Sequence, residues 1–205
     1  MALEDMFSNV HLLVRWLHVI AGITWIGLLY FFNFVNVPLQ AAIDDAAKKQ
    51  VNPQLMPRTL WWFRWAAMIT FLAGLVLFVL NYMYTPGEGF GPTSLLKTPL
   101  GDLTGRAAWI MLGMGFGTIM WFNVWFIIWP AQQKLLGGTA GDQAPALRKR
   151  AGLASRANTI MSGPMLFGML APAHYGAFNG VTAAVAIILG AAVIHMAIKV
   201  SYRVK

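Results

Sequence analysis

Five apolar stretches, each long enough to cross a lipid bilayer, constrain this chain more than any other feature of its sequence. A membrane-spanning helix needs about 20 predominantly apolar residues. The stretches run over residues 10–37, 60–84, 107–129, 159–178 and 181–202. The fourth is the weakest because Pro164 and Pro172 interrupt it, although membrane helices tolerate proline where neighbours satisfy the freed carbonyls. The sequence predicts an all-α fold, a single domain over residues 1–205 built as a bundle of five transmembrane helices.

The composition agrees with a membrane protein and excludes several cofactors. Hydrophobic residues make up 58% of the chain and charged residues 11%, against about 45–50% and about 25% in soluble domains. The chain has no cysteine, which excludes disulfides, iron–sulfur clusters and covalently attached c-type haem. The first stretch is too long for a cleaved signal peptide, and Glu4 and Asp5 precede it where a signal carries basic residues.

The basic residues indicate how the bundle is oriented. Eleven of the 15 Lys and Arg residues fall on one side, in the first and third connections and at the C-terminal end. They are Lys48, Lys49, Arg58, Lys134, Arg148, Lys149, Arg150, Arg156, Lys199, Arg203 and Lys205. Because cytoplasmic loops carry the excess of Lys and Arg, we expect a multi-pass protein of the bacterial inner membrane with a periplasmic N-terminus and a cytoplasmic C-terminus. The net charge of +8 is then a topology signal, and nucleic acid is not an expected partner.

Four histidines lie in or at the edges of the spans: His11, His18, His174 and His195. An ionisable side chain in hydrocarbon is costly unless it has a partner, so each is a candidate functional residue. The alternative for each is an interhelical hydrogen bond or, for His11, a solvated position at the membrane interface. No acidic residue lies inside a predicted span, which disfavours a carboxylate metal site or a carboxylate proton relay.

One face of the first span carries nearly all of its polar residues. At about 100° per residue, eight positions fall within an arc of roughly 80° on this face, including small and aromatic residues and one leucine beside the polar ones. They are His11, Arg15, His18, Gly22, Trp25, Leu29, Asn33 and Asn36. We expect this stripe to point into the bundle, because the other faces are mostly apolar and suit lipid.

The residues around His18 suit a haem. Gly22, one turn after His18, removes a side chain where a flat ligand needs room, and Trp25 offers an aromatic ring beside it. The alternative is that Gly22 only permits close helix packing. The same two readings apply to Gly113 and Gly117 in the third span, where close packing is favoured.

Depth permits His18 or His11 to pair with His174 across a b-type haem, with His18 and His174 as the first choice of iron ligands. His195 lies deeper and suits a second haem or a hydrogen bond. Arg15 suits a haem propionate, or alternatively snorkels to the interface. Six methionines are candidate axial ligands, but core filling is the favoured reading. They are Met111, Met114, Met120, Met161, Met165 and Met169.

Several motifs resemble the membrane domain of bacterial urate hydroxylase, the urate oxidase N-terminal domain family. The first, residues 15–27, is shared with other small membrane haem and copper proteins, including the bacterial membrane protoporphyrinogen oxidase. The more specific motifs follow in the same order along the chain. They are residues 62–65, 72–74, 106–108, 117–120, 123–124, 130–132, 156–159, 164–167 and 174–175.

The resemblance implies a redox role, since full-length family members carry a C-terminal cytochrome c domain. This chain has no haem-attachment cysteines, so we expect a partner to supply the cytochrome. The resemblance also implies His or Glu at three positions that are Trp61, Ala66 and Ala157 here. It retains His18 and His174, which favours a retained haem site over a retained urate site.

The leading hypothesis is a membrane protein that binds one or two b-type haems and passes electrons, as a subunit or partner of a larger redox complex with a periplasmic cytochrome c. The second hypothesis is an enzyme, either a urate hydroxylase-like oxidoreductase or an oxidase acting on a porphyrin. The third is a structural or assembly subunit without a cofactor, in which the histidines are only hydrogen-bonded.

Overall fold

The computed structural model describes residues 5–204, and this part of the chain folds into five long helical rods. Glu4 and Lys205, which enter the charge argument, lie outside the described residues. The first rod joins α1 (Met6–Tyr30), a π-helical segment (Phe31–Asn36) and α2 (Val37–Ala42). The second is α3 (Asp45–Tyr82), and the third joins α4 (Gly105–Phe122), a second π-helical segment (Asn123–Ile128) and α5 (Trp129–Leu136). The last two are α6 (Ala144–His174) and α7 (Gly180–Ser201). The all-α bundle is therefore confirmed.

Short polar side chains fix where four of the helices begin. The side chains of Asp5, Asp44, Thr104 and Asn179 each accept a hydrogen bond from a backbone N–H in the first turn that follows. These N–H groups have no partner inside the helix, so a side-chain oxygen at this position stabilises the start of the helix.

Two prolines widen the helices where the sequence analysis ended the first and third spans. Pro38 and Pro130 each follow a π-helical segment directly, as the second residue of α2 and α5. Proline has no N–H and its ring clashes with the carbonyl four residues earlier, so the preceding turn opens. The N–H of Val37 accordingly donates to Phe32, and that of Trp129 donates to Val124. The helices then continue past the prolines, beyond the predicted ends of these spans.

Four of the rods are apolar enough to cross a membrane: Met6–Ala42, Asp45–Tyr82, Gly105–Leu136 and Gly180–Ser201. The exception is α6, which contains the fourth predicted span. Its polar residues Asn158, Thr159 and Ser162 are fully buried. Because α6 packs against the first and third rods and against α7, its buried side chains meet protein and need not be apolar. It ends at His174 and not at the predicted residue 178.

The polar side chains of α6 are satisfied by neighbouring helices. Asn123 Nδ2 donates to Asn158 Oδ1 at 2.7 Å, and Asn158 Nδ2 donates to the carbonyl of Met120 at 2.9 Å. The Tyr30 hydroxyl lies 2.9 Å from Ser162 Oγ, and Asn33 Nδ2 donates to Ser155 Oγ at 2.9 Å. These bonds tie α6 to both the first and the third rod, in the way that polar side chains join helices in membranes.

Glycines allow α6 to approach its neighbours at backbone distance. A Cβ on Gly168 would lie 2.7 Å from Gly113 N and 2.8 Å from Gly113 Cα. On the other side of α6, a Cβ on Gly163 would overlap the carbonyl of Gly190 in α7. The sequence analysis favoured close packing at Gly113, and the structure confirms it.

The connections define the two ends of the bundle. One end, here called the hairpin end, holds the start of α1 and the α3–α4 connection, in which β1 (Tyr84–Thr85) pairs antiparallel with β2 (Gly89–Phe90). The opposite end, here called the basic end, holds the α2–α3 and α5–α6 connections and the C-terminal residues, where the basic residues concentrate.

Candidate functional site

A cavity of about 470 Å³ lies between the helices toward the hairpin end, and we call it the His18 cavity. Its size falls in the range of small-molecule and cofactor sites, about 300–1,000 Å³. Residues of α1 and α3 form one wall, including His18, Gly22, Trp25 and Gly74. Residues of α4 and α6 form the other and include three methionines. The lining is almost entirely apolar, so a ligand here meets few polar groups.

The imidazole of His18 is held in one orientation by α3. Its Nδ1 lies 2.9 Å from the carbonyl oxygen of Thr70, so the Nδ1–H donates to that oxygen. Thr70 lies inside α3, and its carbonyl oxygen has a second lone pair that can accept from His18 in addition to the bond within the helix. Fixing the proton on Nδ1 leaves the lone pair of Nε2 available. A ring N–H held by a backbone carbonyl is the arrangement that metal-ligating histidines use to fix their tautomer.

Gly74 leaves room for the His18 ring, and Gly22 lies against Thr70. A Cβ on Gly74 would lie only 3.0 Å from His18 Cε1 and 3.3 Å from its Nδ1, so the ring fits because Gly74 has no side chain. A Cβ on Gly22 would lie 3.7 Å from Thr70 Cγ2. Gly22 lies at the α1–α3 contact and also lines the cavity. Its position therefore agrees both with close helix packing and with room for a flat ligand.

The third span contributes Gly117 to the opposite wall, where a Cβ would lie 4.0 Å from both Met165 Cγ and Met169 Cε. Met114 also lines this wall. The methionines that the sequence analysis treated as core filler therefore include three thioethers that face the same cavity as His18. Within the described residues, no group of three or more His, Cys, Asp or Glu side chains forms a metal site.

The lining also contains an unpaired donor. Trp25 lines the cavity, is 2% exposed, and has an indole Nε1 that is buried without a hydrogen-bond partner among the described residues. A buried donor without a partner is uncommon in proteins and invites a ligand acceptor. These residues could hold a b-type haem: His18 Nε2 has no partner among the described residues, Gly22 and Gly117 add no side chain to the walls, and the lining is apolar.

The other predicted residues of the first span lie nearer the hairpin end. His11 Nε2 lies 3.2 Å from Asn81 Oδ1 and 3.2 Å from a terminal nitrogen of Arg15. Neither His11 nor Arg15 lines the His18 cavity, and Arg15 is exposed. His11 therefore contacts α3, and its Nε2 either donates to Asn81 Oδ1 or accepts from Arg15, according to which ring nitrogen carries the proton.

His174 is separate from the His18 cavity. It is the last residue of α6, is exposed, and does not line the cavity. The residues of α6 that line the cavity with His18 lie between positions 165 and 170. The pairing of His18 with His174 therefore stays a prediction.

His195 is exposed on α7, away from the His18 cavity. The predicted stripe of the first span divides accordingly by depth. Its deeper members, Trp25, Leu29, Asn33 and Asn36, are buried, while His11, His18 and Gly22 are half-buried. The stripe therefore faces the bundle as expected, with Arg15 as the exception.

The sequence analysis did not identify two elements of this site and one neighbouring residue. Thr70 and Gly74 complete the surroundings of His18, but only the pairing of α1 with α3 reveals them.

Arg64 lies within the second predicted span, with its guanidinium carbon 3.7 Å from the ring centre of Trp129 and 5.3 Å from that of Trp125. A cation over an indole is stabilised by the ring quadrupole. The sequence signal for this contact was Arg64 itself, a charged residue inside an apolar span with Trp62 and Trp65 beside it.

The fold and the cavity define an all-helical membrane protein with an imidazole facing an apolar chamber between its helices. A family model described as "Urate oxidase N-terminal" matches residues 4–50, 42–90 and 99–205. Since these segments cover nearly the whole chain, the chain belongs to the urate oxidase N-terminal family, and the resemblance found in the sequence is confirmed. Neither the curated proteins nor the solved structures contain a match to it.

Proposed function

We propose that this chain is a b-type haem protein of the bacterial inner membrane that transfers electrons, as a subunit or partner of a larger redox complex with a periplasmic cytochrome c. One observation carries the proposal. His18 holds its proton on Nδ1 by donating to Thr70 and lines an apolar cavity of about 470 Å³. That combination supplies an imidazole ligand and a chamber of cofactor size.

The chain's contributions to such a site follow from the contacts described above. His18 Nε2 would hold the haem iron, and the Thr70 carbonyl fixes the ring and increases its basicity. The apolar walls offer few polar partners, and low polarity around the site is one of the means by which a protein sets the potential of a haem. When bound, the haem supplies one-electron chemistry.

Two kinds of residue are candidates for a second ligand to the haem iron. The sequence proposes His174, which lies outside the cavity lining. The cavity wall opposite His18 instead offers the thioethers of Met114, Met165 and Met169. Replacing an axial histidine with methionine raises the reduction potential of a haem, so the two assignments differ in a measurable property.

Single variants distinguish these assignments. If the second ligand is a lining thioether, we expect one of Met114→Leu, Met165→Leu and Met169→Leu to shift the haem spectrum and lower its midpoint potential, with His174→Ala unchanged. If His174 is the second ligand, we expect the reverse pattern. Absorbance spectra recorded during a redox titration report both properties. A haem that no variant among these four alters contradicts both assignments.

The orientation is part of the proposal, because a periplasmic electron partner requires the His18 cavity to face that side. The absence of native cysteine allows a direct test with Ser94→Cys at the hairpin end and Thr139→Cys at the basic end, both exposed positions. We expect a membrane-impermeant maleimide to label Ser94→Cys in intact spheroplasts and Thr139→Cys only after permeabilisation. The cysteine-free parent is the background control, and the opposite labelling pattern contradicts the orientation.

The enzymatic alternative has less support in the His18 cavity itself. Urate carries several hydrogen-bonding groups, and a site that binds such a molecule specifically provides partners for them. The polar side chains of the lining are those of His18, Trp25, Tyr30, Thr70 and Thr118. Turnover of urate or of a protoporphyrinogen by the purified chain with an electron acceptor favours the enzyme. Co-purification with a redox complex, without haem in this chain, favours an assembly subunit.

A further inference from the structure

A second cavity, of about 650 Å³, opens at the basic end of the bundle, and we call it the basic-end cavity. It lies among the first π-helical segment, α2, α3, α5 and α6. Its inner part is lined by Phe32, Leu60, Phe63 and Ile128, all of them buried. Toward its mouth it is lined by amide side chains and then by basic ones. The cavity therefore changes from apolar to cationic along its length.

The charge of this cavity is uncompensated. Arg148, Lys149 and Arg156 line it, and no Asp or Glu does. Arg156 donates to the Tyr202 hydroxyl at 2.8 Å. Within residues 5–204, Arg148 and Lys149 form no ion pair, since the salt bridge of this part of the chain joins Lys48 to Asp45. Three like charges around one opening favour an anion between them.

A buried amide inside the cavity also lacks a good acceptor. Gln40 and Asn52 bond to each other through both amide groups, at 2.9 and 3.0 Å, and Gln40 also donates to Asn36 Oδ1 at 3.3 Å. The Nδ2 of Asn36 has only the Met56 sulfur at 4.0 Å, and Asn36 is 7% exposed. A thioether is a weak acceptor. This donor therefore suits an oxygen atom of a ligand.

The surroundings of the mouth are apolar. Val37, Leu136 and Leu153 line the cavity and are 39%, 43% and 62% exposed. They lie beside the basic residues, at the level where the predicted spans end. A soluble anion makes no apolar contact with exposed aliphatic side chains around its site, whereas the acyl chains of a lipid can pack against them. Basic pockets between membrane helices bind anionic lipid head groups in this way.

We propose that the basic-end cavity binds the phosphate head group of an anionic phospholipid. Arg148 and Lys149 hold the phosphate at the mouth, and the acyl chains lie along Val37, Leu136 and Leu153. The Nδ2 of Asn36 donates to a head-group oxygen deeper in the cavity. The phosphate chemistry itself is shared with free phosphate and glycerophosphate, so the test includes both.

The test measures retention of phosphatidylglycerol by the full chain, reconstituted in phosphatidylcholine vesicles that contain a minor fraction of it, extracted, and examined by native mass spectrometry. The site variant is Arg148→Gln with Lys149→Gln. The matched control is Lys134→Gln with Arg150→Gln, which removes the same charge from exposed positions of α5 and α6 that do not line the cavity. We expect the site variant to retain phosphatidylglycerol about tenfold more weakly than the parent. We expect the control to match the parent.

Three outcomes overturn the proposal. Equal losses in both double variants mean that surface charge alone attracts the lipid. No loss in either means that these residues do not hold it. Displacement of phosphatidylglycerol by inorganic phosphate or glycerophosphate at comparable concentration means that the site recognises a free anion. Asn36→Ala supplies a second test, since we expect it to weaken retention while the net charge is unchanged.

Discussion

His18→Ala is expected to lose its haem when expressed with ample haem supply, with the Soret absorbance per protein falling by at least about tenfold. The scale follows from metal sites, in which losing even a supporting partner of a ligand costs about 10–100-fold in affinity. His195→Ala is the matched control, because its imidazole is exposed on α7 outside the cavity. We expect it to keep the parent spectrum. Equal absorbance in both variants contradicts the assignment of His18.

Gly74→Val separates ligation from folding. The added side chain would crowd the His18 ring, because a Cβ alone would lie 3.0 Å from its Cε1. We expect a shifted or weakened Soret band although the histidine is still present. Gly27→Val is the control, since Gly27 lines the same cavity but a Cβ there would meet nothing within 4 Å. Circular dichroism and size-exclusion profiles verify that each variant still folds.

Gly168→Ala is expected to destabilise the bundle by about 1–3 kcal/mol, the usual cost of overpacking a filled interior. The new methyl would lie 2.7 and 2.8 Å from backbone atoms of Gly113 and 3.0 Å from the Trp109 carbonyl, so α4 and α6 would have to separate. For a chain of this size, each kcal/mol lowers the melting temperature by about 2–4 °C. Thermal unfolding in one detergent measures the effect.

Gly115→Ala is the matched control for that change. It adds the same methyl to α4, two residues from Gly113, where a Cβ would meet nothing within 4 Å. Because alanine is a better helix former than glycine by about 1 kcal/mol, we expect this variant to be as stable as the parent or slightly more so. Equal destabilisation in the two variants contradicts the close α4–α6 contact.

Much of the fold could be predicted from hydropathy and helical periodicity. The stripe on the first span faces the bundle because its polar and small residues repeat at helical spacing, and Gly113 marks a close crossing because small residues permit one. The fourth span was weak by hydropathy for a physical reason. The polar groups of Asn158, Thr159 and Ser162 lie inside the protein, so the face of α6 that carries them does not need to be apolar, as a face toward lipid does.

The rest of the candidate site depends on pairings between helices that one sequence does not reveal. Thr70 and Gly74 are unremarkable in α3 until the α1–α3 register sets them beside His18. His174 was chosen as a partner of His18 from its expected depth alone, and depth does not determine which way a side chain at the end of a helix points. Pro38 and Pro130 were the sequence signal for the π-helical turns, and the helices continue past both prolines.

A reduced-minus-oxidised spectrum of the purified full chain, combined with a pyridine haemochrome assay, shows whether this chain binds b-type haem. We expect a b-type haemochrome, a redox-active Soret band and at least one haem for each chain. Purified, folded protein that carries no haem after haem-replete expression contradicts the proposed function. A haem whose spectrum is the same in His18→Ala contradicts the proposed site.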